Sequence, residues 1–502
     1  MDKLLYAGTD MNIRDSKGYT IWHVAAQYGQ TGLLHRLLLK WSMDIASQDN
    51  EGRSALHWAA YKGHIDCVRL LLLLGLSPNV QDQEGCTPLH WAAIKGNGET
   101  CTVLIQGGGS DSLEVEDATG ATPSQLAIDK GHRVLGLNLA QAGLTRKRQR
   151  EREADRNRWG FLPFIRRLHM SPIVWMIIIA MLVSLYTLLL NNHDLPLQSS
   201  SGVTYTASWV CFFSAVGGMY FLAKTTAADP GFLPKGGSQD TISVLPSTAA
   251  GGGSISGWNS SGSSLNEVKQ ITLAKQSVDN PAMWAGNWNQ ICVTCKIIRP
   301  LRAKHCSVTG RCVQCFDHYC PWVGNVVGKG NRHLFLIFLW LELVAILSSS
   351  LIAILKIHAV TSRVSSRGSI GSIGAASTSS SSSMAGGSVL IGPVIFLIFD
   401  LMLLMSVGVL TIAQTSQVAR NVTTNEMANW HRYKYLHDTR NGEYINPFDH
   451  GWKRNCSEVC HPERVGVAPY ALVEDLESNG GGGGVEGGEL SPLLKSQRNR
   501  VQ

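Results

Sequence analysis

Cys292-Val293-Thr294-Cys295, His305-Cys306, Arg311-Cys312-Val313-Gln314-Cys315 and Phe316-Asp317-His318-Tyr319-Cys320-Pro321-Trp322 crowd into one short stretch, a thiol density found nowhere else in the chain. Cys292 and Cys295 have the two-residue gap of a metal knuckle, and His305 and Cys312 supply the remaining donors of a closed tetrahedral Cys3His zinc site. Cys320 stands outside that set, two residues after a histidine and three after an aspartate. A spare thiol beside a base, in a segment already fixed by metal, is a candidate nucleophile.

The stretch is flanked by apolar runs. Pro172 to Leu190, Val203 to Ala223, Leu334 to Leu355 and Val389 to Ala413 each approach the ~20 apolar residues needed to cross about 30 Å of hydrocarbon. They predict four transmembrane helices in a bundle. Glu342 and Asp400 are the carboxylates inside these runs, and such groups face the bundle rather than lipid, as helix-pairing positions. Arg146-Lys147-Arg148 through Arg167 precede the first run, while Asn191 to Gly202 carries no Lys or Arg. Both termini and the cysteine stretch are therefore expected in the cytosol. With 502 residues, 44% hydrophobic and 16% charged, the chain has room for several folding units. Its net charge of +7 reflects the juxtamembrane basic residues and attraction to the lipid bilayer, and argues for no nucleic-acid partner. Twelve cysteines facing a reducing compartment predict thiols and metal rather than disulfides. No cleavable signal stands at Met1, so the first run is expected to act as its own signal.

Toward the N-terminus, Gly18, Gly52, Gly85 and Gly120 recur with a period of about 33 residues, the ankyrin period. Thr87-Pro88-Leu89-His90-Trp91-Ala92-Ala93 has the ankyrin helix start, echoed by His23-Val24-Ala25-Ala26 and His57-Trp58-Ala59-Ala60. The histidines are expected to bond between repeats, Trp58 and Trp91 to stack in the core, and the solenoid to bind peptide or protein ligands. Arg146 to Arg158 reads as a solvated helix or linker, and Ser238 to Ser264, Ser365 to Ser388 and Ser478 to Gly488 are Gly/Ser-rich and expected to be disordered.

The cysteine-rich stretch resembles that of the DHHC-type protein S-acyltransferases, here with Asp317-His318-Tyr319-Cys320. Asp229-Pro230-Gly231, Thr423-Thr424-Asn425-Glu426 and Asn446-Pro447-Phe448 through Asn455 resemble the family's other motifs in their order relative to the spans, so the resemblance covers roughly residues 160 to 460. It implies that Asp317 orients His318, that His318 takes the proton of Cys320, and that Cys320 accepts a long-chain acyl group, palmitoyl, from acyl-CoA. Substrate proteins with membrane-proximal cysteines would then receive it. Thr424 is implied to lie near Asp317, with Glu426 and Asn455 in supporting motifs. Trp322 either touches the acyl chain near its thioester or anchors the domain at the interface.

The family carries two Cys3His zinc sites, and the second would use positions 306, 309, 319 and 326. These hold Cys306, Thr309, Tyr319 and Val326, so one zinc is expected and the second site is degenerate, even with Cys315 as a rescue ligand. The competing reading is a catalytically impaired ankyrin-repeat membrane scaffold, and an ion channel lacks any pore-loop signal. The expected fold is multi-domain and mainly α: ankyrin repeats over 1–140, a basic linker 141–171, spans one and two within 172–223 and a cytosolic segment 224–289. The cysteine-rich domain follows at 290–333, then span three at 334–355, a non-cytosolic Ser/Gly loop 356–388, span four at 389–413, a cytosolic motif region 414–460 and a disordered tail 461–502. The resemblance implies an endomembrane, Golgi or post-Golgi.

Overall fold

The structure is a computed structural model that describes residues 13–40, 45–158, 176–181, 183–184, 202–236, 280, 283, 286–370, 381–438 and 441–465. Two compact units emerge. The first draws its described residues from Met1–Pro163 and Phe232–Cys312, the second from Phe164–Gly231 and Val313–Gly466. Their boundary passes between Cys312 and Val313, inside the stretch expected as one cysteine-rich domain.

In the first unit, helices α1 (Ile21–Gln27), α3 (Ala55–Lys62), α5 (Pro88–Ile94) and α7 (Pro123–Asp129) open successive repeats. The second helices are α2 (Thr31–Lys40), α4 (Ile65–Leu73), α6 (Gly98–Leu104) and the long α8 (Arg133–Arg158). Each first helix starts at a Thr or Ser that forms a reciprocal capping box with the third helical residue, which is His23, His57 or His90 in the first three repeats. The same imidazoles reach onward. His23 Nε2 lies 3.0 Å from the Arg53 carbonyl and His57 Nε2 3.1 Å from that of Val80, so one side chain caps its own helix and ties the next repeat. Burial pushes His57 down to about 4 and keeps its ring neutral for both bonds. Alanine pairs Ala25-Ala26, Ala59-Ala60 and Ala92-Ala93 are buried and let the helices close on Leu34, Leu37, Leu70, Leu71 and Leu104. Each such leucine contributes about 1.5–3 kcal/mol.

Trp58 and Trp91 do not stack in the core. Both are half-buried, with indole N–H groups donating to Asp49 (3.0 Å) and Asp82 (2.8 Å). Tyr61 meets each ring edge-on and the Arg53 guanidinium lies over both. An indole N–H needs an acceptor when desolvated, and the turn carboxylates supply it at the repeat edge. The sequence places the end of the repeats at residue 140, and α8 runs through that position unbroken.

The second unit holds helices α9 (Gly202–Ala227), α10 (Arg332–Ile370), α11 (Ser381–Ala419), α12 (Thr424–Asn429) and α13 (Trp452–Cys460). Among the described residues, three helices are long and apolar enough to cross a membrane: Gly202–Ala227, Arg332–Ser362 and Leu390–Ala419. The expected first span, Pro172 to Leu190, lies mostly outside the described residues, as do Ser238 to Ser264 and Ser478 to Gly488. The expected loop 356–388 needs correction: α10 continues to Ile370 and α11 begins at Ser381. Just before the serine-rich stretch, Thr361 and Ser362 donate their O–H groups to the carbonyls of Ile357 and His358.

Gly217 and Gly218 let α9 approach α10, where a Cβ at Gly218 would collide with the Glu342 carboxylate. Asp400 on α11 accepts from Ser349 (2.8 Å) and Ser350 (2.6 Å) on α10, the helix-pairing role read from its place in an apolar run. The Asp229-Pro230-Gly231 turn passes backbone to backbone against Gly328-Lys329-Gly330, with Gly330 N donating to the Pro230 carbonyl at 3.1 Å. Any side chain at Gly330 would strike the Asp229 carbonyl. Gly330→Ala is therefore expected to destabilise the membrane unit by about 1–3 kcal/mol, read as a lower midpoint in thermal unfolding of the detergent-solubilised protein. An unchanged midpoint would show that the turn can yield.

Candidate active site and metal centre

Two small hairpins carry the cysteines of the metal set and lead into a third. Strands β1 (Ile291–Cys292) and β2 (Ile297–Ile298) pair antiparallel, and β3 (Lys304–Cys306) and β4 (Arg311–Val313) form a second two-stranded sheet. They bring together Cys292, Cys295, His305 and Cys312, whose ligand atoms all lie within 4.8 Å of one another. His305 Nδ1 stands 3.6, 3.3 and 3.8 Å from the sulfurs of Cys292, Cys295 and Cys312. A tetrahedral zinc with Zn–S ~2.3 Å and Zn–N ~2.1 Å requires S···N edges of about 3.6 Å, so the residues fit the ion.

The positions of a second site do not fit. Tyr319 and Val326 are direct cross-strand partners in the hairpin of β5 (His318–Cys320) and β6 (Asn325–Val327). Val326 is fully buried, and the buried Thr309 hydroxyl offers no thiolate or imidazole. An aromatic and a β-branched side chain facing each other hold a hairpin by packing, the task that a metal would otherwise perform. Among the described residues, the Cys292 set is the one group of three or more such ligands brought into range. Purified protein is therefore expected to hold about one zinc per chain, lost in Cys295→Ala together with the fold of the knuckle. Elemental analysis checks this, and two tightly held zinc ions would contradict it.

The β5–β6 hairpin sets the remaining chemistry. His318 and Cys320, two residues apart on one strand, share a face. Cys320 pairs with Asn325 in the register, and Asn325 Nδ2 donates to the carbonyls of Thr225 (3.1 Å), Thr226 (3.1 Å) and Ala228 (2.9 Å), capping the end of α9. Asp317 is buried, with Oδ2 2.7 Å from His318 Nδ1. Its carboxylate accepts from the Thr424 N–H at 2.7 Å, while the Thr424 hydroxyl stands 2.8 Å from Oδ2. Gln414 Nε2 lies 3.4 Å from Oδ2 and 3.0 Å from the Thr424 hydroxyl, and Arg332 Nη2 lies 3.7 Å from Oδ1.

These neighbours decide the charges. Burial raises the Asp317 carboxyl, but the His318 hydrogen bond, the Arg332 charge and the Thr424 N–H outweigh it and hold it at about 2. Burial likewise lowers His318, and its hydrogen bonds to Asp317 and Cys320 overcome that and raise it to about 9. The arrangement can therefore hold an imidazolium next to Cys320 at neutral pH.

The supporting motifs turn out to be scaffolding. Thr423 is the N-cap of α12, with Thr423 N donating to Glu426 Oε2 (2.9 Å) and Glu426 N to the Thr423 hydroxyl (3.1 Å). This capping box leaves the next backbone N–H, that of Thr424, aimed at Asp317. Asn455, fully buried, bonds the Ala419 carbonyl at the end of α11 (2.8 Å) and Asp449 (2.7 Å), which fastens α13. Sequence reading missed Gln414, Gln417 and Arg332. Gln417 Oε1 lies 3.0 Å from the Thr424 hydroxyl. Two glutamines spaced i, i+3 at the polar end of an apolar run share a helix face, and that spacing was the available signal.

Beside Cys320 opens a cavity of about 400 Å³, lined by Cys320, Trp322, Phe335, Phe338 and Leu339 near the hairpin and by Ser349 and Asp400 far from it. From Phe335 to Ser349 the wall follows α10 for about 21 Å of helix rise. Trp322 is 53% exposed and still lines the cavity.

The DHHC palmitoyltransferase family model matches residues 286–431, and the model for ankyrin repeats in three copies matches 1–82 and 71–142. Probable protein S-acyltransferase 23 of Arabidopsis thaliana is 34% identical over 447 residues, 88% of this chain and 74% of that protein. The chain belongs to the DHHC palmitoyltransferase family. Palmitoyltransferase ZDHHC9 of Bos taurus is 31% identical over 57% of this chain and 69% of its own length. Palmitoyltransferase ZDHHC17 of Danio rerio is 31% identical over 38% of this chain and 31% of its own. As a DHHC palmitoyltransferase with ankyrin repeats and membrane-spanning helices, the protein departs from the motif in having Tyr319 before Cys320.

Proposed function

We propose that this membrane protein is a protein S-acyltransferase that moves a long-chain acyl group, palmitoyl, from acyl-CoA to cysteines of substrate proteins through an S-acyl-Cys320 intermediate. The observation that carries the reading is the chain Thr424–Asp317–His318–Cys320 at the mouth of an apolar cavity. With Nδ1 bonded to Asp317, the other ring nitrogen of His318 exchanges the proton with Cys320. The Cys320 thiolate attacks the thioester carbon, the carbon–sulfur bond to CoA breaks, and the CoA sulfur leaves with the proton held on His318. In the second half, His318 takes the proton of a substrate thiol, which displaces Cys320 from the acyl group. Both bonds exchanged are thioesters, so positioning and thiolate formation are the protein's contribution.

The cavity supplies the acyl site. Each methylene moved into it from water contributes about 0.8 kcal/mol, and Trp322 is assigned to the thioester end of the chain. Replacing the second zinc by the Tyr319–Val326 pair leaves His318, Asp317 and Thr424 in place, which favours an enzyme over an impaired scaffold. Basic flanks support a topology with both termini in the cytosol, and the proposed location is an endomembrane, Golgi or post-Golgi. The domain limits read from sequence, with the 356–388 loop shortened by the helices on either side of it, complete the proposal, and the ankyrin repeats recruit substrate proteins. The test is labelling of the purified protein in liposomes with palmitoyl-CoA, followed by hydroxylamine release and mapping of the modified residue to Cys320.

A further inference from the structure

Repeat solenoids bury their core between neighbouring repeats and need no other element on the face of their second helices. This array has one. Met283, Ile291 and Val293 are 2%, 3% and 6% exposed and belong to the same apolar cluster as the repeat leucines Leu70, Leu71 and Leu104, with Trp288 and Ile298 packed against it. Strand β1 and the turn Trp288–Gln290 lie against α4. Trp288 meets His35 of α2 edge-on at 5.5 Å, and the Thr294 hydroxyl donates to the Gln106 carbonyl just after α6 at 3.1 Å. The contact therefore runs across three consecutive repeats.

The part that docks is the zinc knuckle itself. Ile291, Val293 and Thr294 alternate with or sit beside Cys292 and Cys295, so the loop that presents ligands to the metal also presents apolar side chains to the repeats. A hairpin of two-residue strands has no independent stability. Its shape must come from the ion on one side and the array on the other.

We infer that the ankyrin repeats and the zinc knuckle are a single folding unit, in which the Cys292–Cys295–His305–Cys312 site holds the face that closes the second helices α2 and α4. Zinc binding and array stability are then coupled, and the coupling is reciprocal. The array is not a detachable arm, and partners are left the first helices and the turns between repeats.

The inference goes beyond acyl transfer, and its test needs none. Amide hydrogen exchange is followed in the full-length detergent-solubilised protein, zinc-loaded or stripped by a chelator, and in zinc-loaded Trp288→Ala. Exchange in α4 is expected to quicken about tenfold or more on stripping, with a smaller change in the terminal helix α7. Trp288→Ala is expected to quicken α4 or to weaken zinc retention. Equal α4 exchange with and without zinc overturns the coupling, and a Trp288→Ala chain with unchanged α4 exchange and unchanged zinc retention overturns the docking surface.

Discussion

Cys320→Ser loses the hydroxylamine-sensitive palmitoyl label completely, while the protein still purifies as a folded, zinc-containing membrane protein. Cys320 lies at once on the hydrogen-bonded strand with His318 and on the wall of the acyl cavity. Among the thiols of the first unit, Cys292, Cys295 and Cys312 belong to the metal set, and burial pushes Cys67 up to about 11 and Cys86 and Cys101 up to about 12. A serine in place of Cys320 keeps the strand and its partner Asn325, so the loss reports the nucleophile rather than the fold. Label that survives in Cys320→Ser would move the intermediate to another cysteine. Cys456 and Cys460 on α13, half-exposed and exposed, are the first places to look.

Asp317→Asn lowers self-acylation at pH 7 by about 10²–10⁴-fold, the range found when general-base pairs lose their orienting carboxylate. The direction of the accompanying pH shift follows from the charges. His318 titrates near 9 because Asp317 and Cys320 favour its protonated form over the opposing effect of burial. Without the Asp317 charge, burial weighs more and the imidazolium is lost at lower pH. The limb of the pH–rate profile that reports His318 should therefore move to lower pH in the variant, and Thr424→Val should move it in the same direction by less, because it removes one of several groups on the carboxylate. A variant with the same profile at lower amplitude would mean that Asp317 acts by placing the ring rather than by charge.

The separation between these effects and the zinc experiment is itself informative. The candidate zinc ligands belong with the repeats to one compact unit, whereas Asp317, His318 and Cys320 belong to the other, held by Asn325, by the capping box of α12 and by the Tyr319–Val326 pair.

What the sequence determined by itself was whatever repeats or stays local. Glycines at a fixed period, each with φ near +80° in a repeat turn (Gly18, Gly52, Gly85, Gly120), declare the solenoid because only that residue enters the left-handed region without strain. Apolar length declares the spans, and Cys-x-x-Cys spacing with its His and Cys completes the metal set, because ligand chemistry is carried by residue type. The family resemblance already implied Thr424 beside Asp317, and only the tertiary structure decided that this contact, across 107 positions of sequence, is backed by Gln414, Gln417 and Arg332. Nor could spacing show that Trp58 and Trp91 answer to turn carboxylates, or that the zinc knuckle closes the face of α4. Those outcomes depend on which buried donor finds which acceptor, and which apolar face finds its cover, once distant segments are brought together. No local pattern records that choice, because the energy that selects it is the cost of leaving such a group unpaired in the folded interior.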